Sequence, residues 1–229
     1  MKLTKLESFR QQYKYVYNNS SYDVYKMRRD DRGLHPIDYS DVECEFAAKC
    51  IYDILPKEIY TILDVGSYRK FVLGLLSSYY VDVMDIRPLQ GQYLENQTRI
   101  QLDAKNLNSE NKYDVITCLS SIEHFGLGRY GDELDLKADE KAFNNFIKAL
   151  TPGGTLIFTT TIKRGYPEIC FNAHRIYNLD EIYKFCKPLD KKVEEWYYSR
   201  KLNRMCSSNE ITDKPQTWDV YMGCWRKKE

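Results

Sequence analysis

The chain has 229 residues, enough for one domain that buries about 70% of the surface its unfolded form exposes. Lys and Arg number 34 against 33 Asp and Glu, and this near-neutral balance argues against nucleic acid or an anionic membrane as a general partner, so any basic site is local. No apolar run approaches the ~18 residues of a membrane span and the opening "MKLTKLESFRQQYKY" has no leader-like apolar core, so the protein is expected to be soluble, unexported and cytoplasmic.

Seven scattered cysteines, none at two-residue spacing, read as reduced thiols and not as a metal knuckle. The 20 tyrosines suit a carbohydrate pocket but read first as amphipathic packing.

Residues 1–56 form a helical and loop cap, followed by a domain at 57–229. Within the cap, "MRRDDRGLHPIDYS" (Met27–Ser40) is a mixed-charge loop; its Arg28, Arg29 and Arg32 could meet a diphosphate, and read first as solvated charges. "DVECEFAAKCIYDIL" (Asp41–Leu55) is a helix capped by Ser40 or Asp41.

From Thr61 onward, short β-branched runs alternate with helical segments, the pattern of a parallel sheet covered on both faces. The strands are Thr61–Gly66, Val81–Ile86, Arg99–Asp103, Tyr113–Ser120 and Thr155–Thr161. Helices fall in "RKFVLGLLSSY" and in "ADEKAFNNFIKAL", where Phe143, Phe146, Ile147 and Leu150 recur at helical spacing until "TPGG" stops them. A loop, a helix at Leu179–Lys187 and two strand-like runs, "KKVEEWYYSR" and "TWDVYMGCWRKK", close the chain as an antiparallel hairpin on the otherwise parallel sheet.

Ligands of such sheets sit at the carboxyl ends of the strands. Strand one ends in "LDVGS", with Asp64 and Gly66, although Tyr68 and Lys70 stand where a dinucleotide fingerprint would place further glycines. Strand two ends in Asp85, about 20 residues on, and strand three in Asp103-Ala104. Any one of these acids is ordinary at a turn; three at consecutive strand ends, in register with Gly66, point to an adenosine site.

This arrangement resembles the class I S-adenosylmethionine-dependent methyltransferases. The resemblance covers about Thr61–Arg226 and implies a Rossmann-like α/β fold, a seven-stranded sheet of order 3-2-1-4-5-7-6 with strand 7 antiparallel, carrying an N-terminal helical cap. It implies S-adenosylmethionine as cofactor, held by Asp64, Gly66, Ser67, Asp85, Ile86, Asp103, Ala104 and Ser120, with the acid after strand two on the ribose and that after strand three on the adenine amine. The chain is similar in particular to a domain-of-unknown-function family sharing "DIRPL" (Asp85–Leu89), "EHFGLGRYGD" (Glu123–Asp132) and "FNAHR" (Phe171–Arg175). Relatives in surface-polysaccharide gene clusters make methylation of a sugar or nucleotide-activated sugar, in capsular polysaccharide biosynthesis, the expected activity.

Removing a proton from an acceptor hydroxyl suits histidine, which titrates near pH 6.5 when unperturbed. Of His35, His124 and His174, the last two follow strands four and five, so His124, with Glu123 beside it, and His174 are the candidate bases. Arg129, Tyr130 and Asp132 in the glycine-flanked loop, with Asn172 and Arg175, are the candidate acceptor contacts. No dedicated carboxylate cluster is present, and a metal-independent reaction is expected. The rival readings are a nicotinamide oxidoreductase, a non-catalytic binding subunit and a methyltransferase for a different small-molecule acceptor. Partners are then a small-molecule acceptor and, as an open option, a second copy of the chain.

Overall fold

The computed structural model describes residues 4–19, 37–54, 61–88 and 95–229. The part of the mixed-charge loop that carries Arg28, Arg29, Arg32 and His35 lies outside them, as does Leu89. Two compact units are present, residues 1–36 and 37–229. In the first, α1 (Lys5–Asn19) opens on Thr4, whose hydroxyl accepts from the Glu7 N–H while the Glu7 carboxylate accepts from the Thr4 N–H.

The second unit begins with α2 (Tyr39–Ile54). Asp38 caps this helix, accepting from the Ser40 N–H at 2.8 Å, so the cap lies two or three residues before the expected Ser40 or Asp41. The boundary expected after residue 56 falls instead at residue 36, because α2 shares the core of the sheet: Phe46, Ala47, Cys50 and Ile51 are buried against strand residues.

The strands β1 (Ile62–Val65), β2 (Val81–Asp85), β3 (Gln97–Gln101), β4 (Tyr113–Leu119) and β5 (Leu150–Ile162) are mutually parallel. After β5 come the short antiparallel pair β6 (Glu168–Cys170) and β7 (His174–Ile176), then β8 (Lys191–Ser199), β9 (Arg204–Cys206) and β10 (Asp219–Arg226). The order is β3-β2-β1-β4-β5-β10-β8-β9, with β10 antiparallel to both neighbours. This is the expected 3-2-1-4-5-7-6 sheet with one extra edge strand, β9, folded from the polar stretch after Ser199. β6 and β7 stand where a plain loop was expected.

Alternation along each strand divides the core between two faces. Leu63, Met84, Ile116, Leu156 and Phe158 meet α4 (Ala138–Ala149) and α5 (Leu179–Cys186), while Ile62, Val83, Val115 and Ile157 meet α2 and α3 (Arg69–Leu75). Register moves β3 two residues ahead of the expected Arg99–Asp103: Val81 pairs with Gln97 and Asp85 with Gln101. Asp103 is thereby released to cap the short 3-10 turn Ala104–Asn106. Among the described residues no helix is long and apolar enough to cross a membrane.

Candidate functional site

The turn after β1 is built by its backbone. Gly66 lies at φ +65°, and a Cβ there would collide with the Ser121 hydroxyl, so glycine is required by both conformation and space. Asp64 faces inward: its carboxylate accepts from the Thr117 hydroxyl at 2.7 Å and the Ser67 N–H at 3.3 Å, and burial pushes it up to about 6. Ser67 in turn accepts from the Leu119 N–H at 3.0 Å. These two expected cofactor contacts fasten β1 to β4 and line one cleft, which shares Gly66, Met84, Asp85 and Arg87 with a neighbouring cleft.

That cleft, about 540 Å³ of open space, lies at the carboxyl ends of the strands beside the β1–β4 switch point. Of the expected cofactor contacts, Gly66, Asp85, Ile86, Asp103, Ala104 and Ser120 line it. Leu102 and Phe125 add apolar surface that the sequence did not single out. Asp85 grips Arg87 in a two-pronged pair, Nε at 3.0 Å and Nη2 at 2.7 Å, and the Arg87 guanidinium lies 4.6 Å from the centre of the Tyr130 ring. Oδ1 also accepts from the Arg87 backbone N–H at 2.8 Å, so Oδ2 is the oxygen that keeps a second lone pair for a ligand hydroxyl. Asp103 spends Oδ1 on the Lys105 N–H at 3.0 Å.

Behind the cleft lies a residue the sequence reading passed over. Glu43, fully buried on α2, accepts from Ser120 at 2.6 Å, Thr159 at 2.6 Å and Tyr68 at 2.7 Å. Tyr68 thus replaces a fingerprint glycine with a tether to α2. Ser120 sits at φ +44°, a left-handed conformation held by this bond and by donation of its N–H to Thr159. The available signal was that Glu43 falls with Phe46, Ala47 and Cys50 on one helical stripe: a carboxylate among core residues must find partners.

At the mouth of the cleft, the 3-10 turn Ile122–His124 orients Glu123 and His124 in opposite directions. Glu123, expected at the reaction lip, is 2% exposed and accepts from the Thr160 hydroxyl at 3.1 Å; burial pushes its carboxyl up to about 8. It supports the lip from beneath and does not line the cleft. His124 lines the cleft. Its Nδ1 lies 2.5 Å from the Ala173 carbonyl, which only a protonated Nδ1 can satisfy, leaving Nε2 as a lone-pair acceptor. Burial, with Arg129, His174 and Arg87 nearby, lowers His124 to about 4 and outweighs the Ala173 bond, so the ring is neutral at pH 7.

His174 meets His124 edge-to-face at 6.3 Å and Trp218 at 5.6 Å. Burial lowers it too, helped by Arg129 and Arg200. The structure thus brings the two candidate histidines together, with Tyr130 at 5.6 Å from His124. Arg129 sits at the rim, its Nη1 3.4 Å from the Ala173 carbonyl. Asp132 lines the cleft but spends its oxygens on the Gly128 and Tyr130 N–H groups, both at 3.1 Å; burial opposes ionisation, yet these donors hold its carboxyl below the usual range. It braces the loop from Gly126 to Gly131.

Two expected acceptor contacts are placed elsewhere. Asn172 is the exposed left-handed corner of the β6–β7 hairpin, at φ +55°. Arg175 is buried against Asp139 at 3.2 Å and donates to the Phe125 carbonyl at 2.5 Å, tying β7 to α4. The alternation of a strand explains the second: His174 faces the lip, so its neighbour Arg175 faces the interior.

The architecture can now be set beside known proteins. The N-methyltransferase NodS from Bradyrhizobium japonicum, in complex with S-adenosyl-L-homocysteine, superposes with a TM-score of 0.57 at 13% identity, over 84% of this chain and 89% of its own. The 1,6-didemethyltoxoflavin-N1-methyltransferase of Burkholderia thailandensis, with bound 1,6-didemethyltoxoflavin and S-adenosylhomocysteine, gives 0.62 at 11% identity, over 100% of this chain and 93% of its own. The fold is that of the class I methyltransferases. Within this methyltransferase fold the [4+2]-cyclase SpnF is also similar, with a TM-score of 0.58 at 12% identity over 81% of this chain and 80% of its own. The family described as Caenorhabditis protein of unknown function, DUF268, matches residues 80–182, a span that contains all three motifs. No curated protein matches the sequence.

Proposed function

We propose that this protein is an S-adenosylmethionine-dependent O-methyltransferase acting on a hydroxyl of a sugar or nucleotide-activated sugar. The observation that carries the reading is the meeting of Gly66, Asp85, Asp103 and Ser120 on one cleft wall with the neutral imidazole of His124 at its mouth. When bound, the cofactor supplies an electrophilic methyl group. Asp85 would accept the ribose hydroxyls and Asp103 the adenine amine, with Ile86, Leu102, Ala104 and Phe125 supplying apolar surface for the base.

His124 Nε2 receives the acceptor proton, and the Ala173 carbonyl steadies the imidazolium that forms at Nδ1. A base held near 4 takes the proton only as the oxygen–carbon bond forms, so alignment of the acceptor supplies much of the rate. His174 stands ready as the alternative acceptor. Capsular polysaccharide synthesis in the cytoplasm is the biological setting that fits such a substrate.

Calorimetry with S-adenosylhomocysteine and with NAD separates this reading from a nicotinamide enzyme. A screen of nucleotide sugars for the mass gain of one methyl then tests the acceptor; no gain on any alcohol sinks the substrate class. The low basicity of His124 favours one second reading, an amine acceptor that is already nucleophilic when neutral, and the same screen on amines detects it.

A further inference from the structure

Beyond the two histidines the structure holds a separate, basic cleft. It is an open cleft between the β8–β9 turn and the segment that leads into β10, lined by Arg200, Lys201, Thr212, Lys214, Thr217, Trp218 and Asp219.

Its charge is uncompensated. Arg200, Lys201 and Lys214 pair with no carboxylate among the described residues, whereas neighbouring Arg164 and Arg204 are paired to Asp213 and Glu210. The one carboxylate in the wall, Asp219, is 1% exposed and turned inward, its two oxygens accepting from the Arg200 N–H at 2.8 Å and the Thr212 N–H at 2.7 Å. Asp219 therefore pins the backbone of the cleft without neutralising its face.

Arg200 is also oriented. Its guanidinium carbon lies 3.6 Å from the centre of the Trp218 ring and 5.6 Å from that of Tyr39, and its side-chain N–H groups donate to nothing among the described residues. A guanidinium carbon 3.6 Å from the centre of an indole leaves the fork of N–H donors available, and phosphate oxygens accept from such a fork. From Trp218 the chain of rings runs through His174 to His124, in contacts of 5.6 and 6.3 Å, so a group bound at Arg200 is within one small molecule's length of the reaction lip.

We propose that Arg200, Lys201 and Lys214 form the phosphate subsite of the acceptor, so that the substrate carries a phosphate or diphosphate while its hydroxyl reaches His174 and His124. This rests on the methyltransferase reading of the neighbouring cleft and names the substrate class within it. The site lies beside the last strands of the sheet.

The test is calorimetric titration of the whole protein with inorganic pyrophosphate, and separately with S-adenosylhomocysteine, for wild type, Arg200→Gln and the double variant Lys201→Ala/Lys214→Ala. The two lysines are exposed, so the double variant keeps the fold even where loss of the Arg200–Trp218 stack is felt. Pyrophosphate binding that weakens at least tenfold in both variants, with unchanged affinity for S-adenosylhomocysteine, is the expected result. No pyrophosphate binding to wild type, or equal binding to all three proteins, overturns the subsite. Variant-sensitive pyrophosphate binding with no affinity for S-adenosylhomocysteine keeps the anion site and removes the methyltransferase reading.

Discussion

Glu43 on the first helix of the sheet domain and Ser120 at the end of β4 share a 2.6 Å hydrogen bond across 77 residues of sequence, and through it the helix fixes the backbone of the cofactor cleft. The same carboxylate holds Thr159 and Tyr68. Glu43→Ala leaves the buried Thr159 hydroxyl and the half-buried Tyr68 and Ser120 hydroxyls without their acceptor and is expected to cost about 2–4 kcal/mol in urea unfolding, with weaker binding of S-adenosylhomocysteine. A variant that unfolds at the wild-type midpoint would show that the network is dispensable.

Asp85 and Asp103 are expected to carry the adenosine. Replacing either with Ala removes hydrogen bonds to a charged acceptor, worth about 1.5–3 kcal/mol, so the dissociation constant for S-adenosylhomocysteine should rise about ten- to a hundredfold. Calorimetry on each variant measures this directly, and unchanged affinity in both would move the cofactor out of this cleft.

His124 is held neutral down to about pH 4, so the acid limb of kcat/KM, which reports the free enzyme, should fall near pH 4 and not near 6.5. His124→Ala is expected to lower turnover about a hundred- to ten-thousand-fold with intact cofactor affinity. Near-normal turnover in both His124→Ala and His174→Ala would remove the histidines from the chemistry.

Glu123 contributes a signed dependence of stability on pH. Its folded value, about 8, lies above that of the unfolded chain, so the folded state holds the extra proton between roughly pH 5 and 8 and stability falls as pH rises through that window. Glu123→Gln should flatten the slope by up to one proton, about 1.4 kcal/mol per pH unit at its steepest. Parallel slopes for the two proteins in urea titrations would contradict this.

Arg175 separates a structural role from an acceptor role. With Arg175 and Asp139 buried together, Arg175→Ala leaves an unpaired carboxylate and is expected to destabilise the fold by about 3–5 kcal/mol. A variant as stable as wild type but with a raised KM would return Arg175 to the acceptor site.

The five parallel strands were legible because β-branched runs sit between turn residues, and their carboxyl ends located Gly66, Asp85, Asp103 and Ser120 without coordinates. The inward turn of Asp64 was not, since a strand-end acid reads alike whether its partner is a ligand or the Thr117 hydroxyl two strands' worth of sequence away. β6, β7 and β9 escaped because strands of three residues carry no period. Trp218 was visible only as strand character, because its neighbours His174 and Arg200 reach it through the sheet's order and not through the sequence.

The antiparallel course of β10 has a consequence for how the protein can change. Running against β5, with Asp219 opposite Ile162, it delivers Trp218 to the edge where the parallel strands end. The groups assigned to the nucleoside all precede residue 126, whereas the basic cleft is written after residue 199. Mutational drift in the final thirty residues can therefore retune which compound is modified while leaving the nucleoside grip inherited intact.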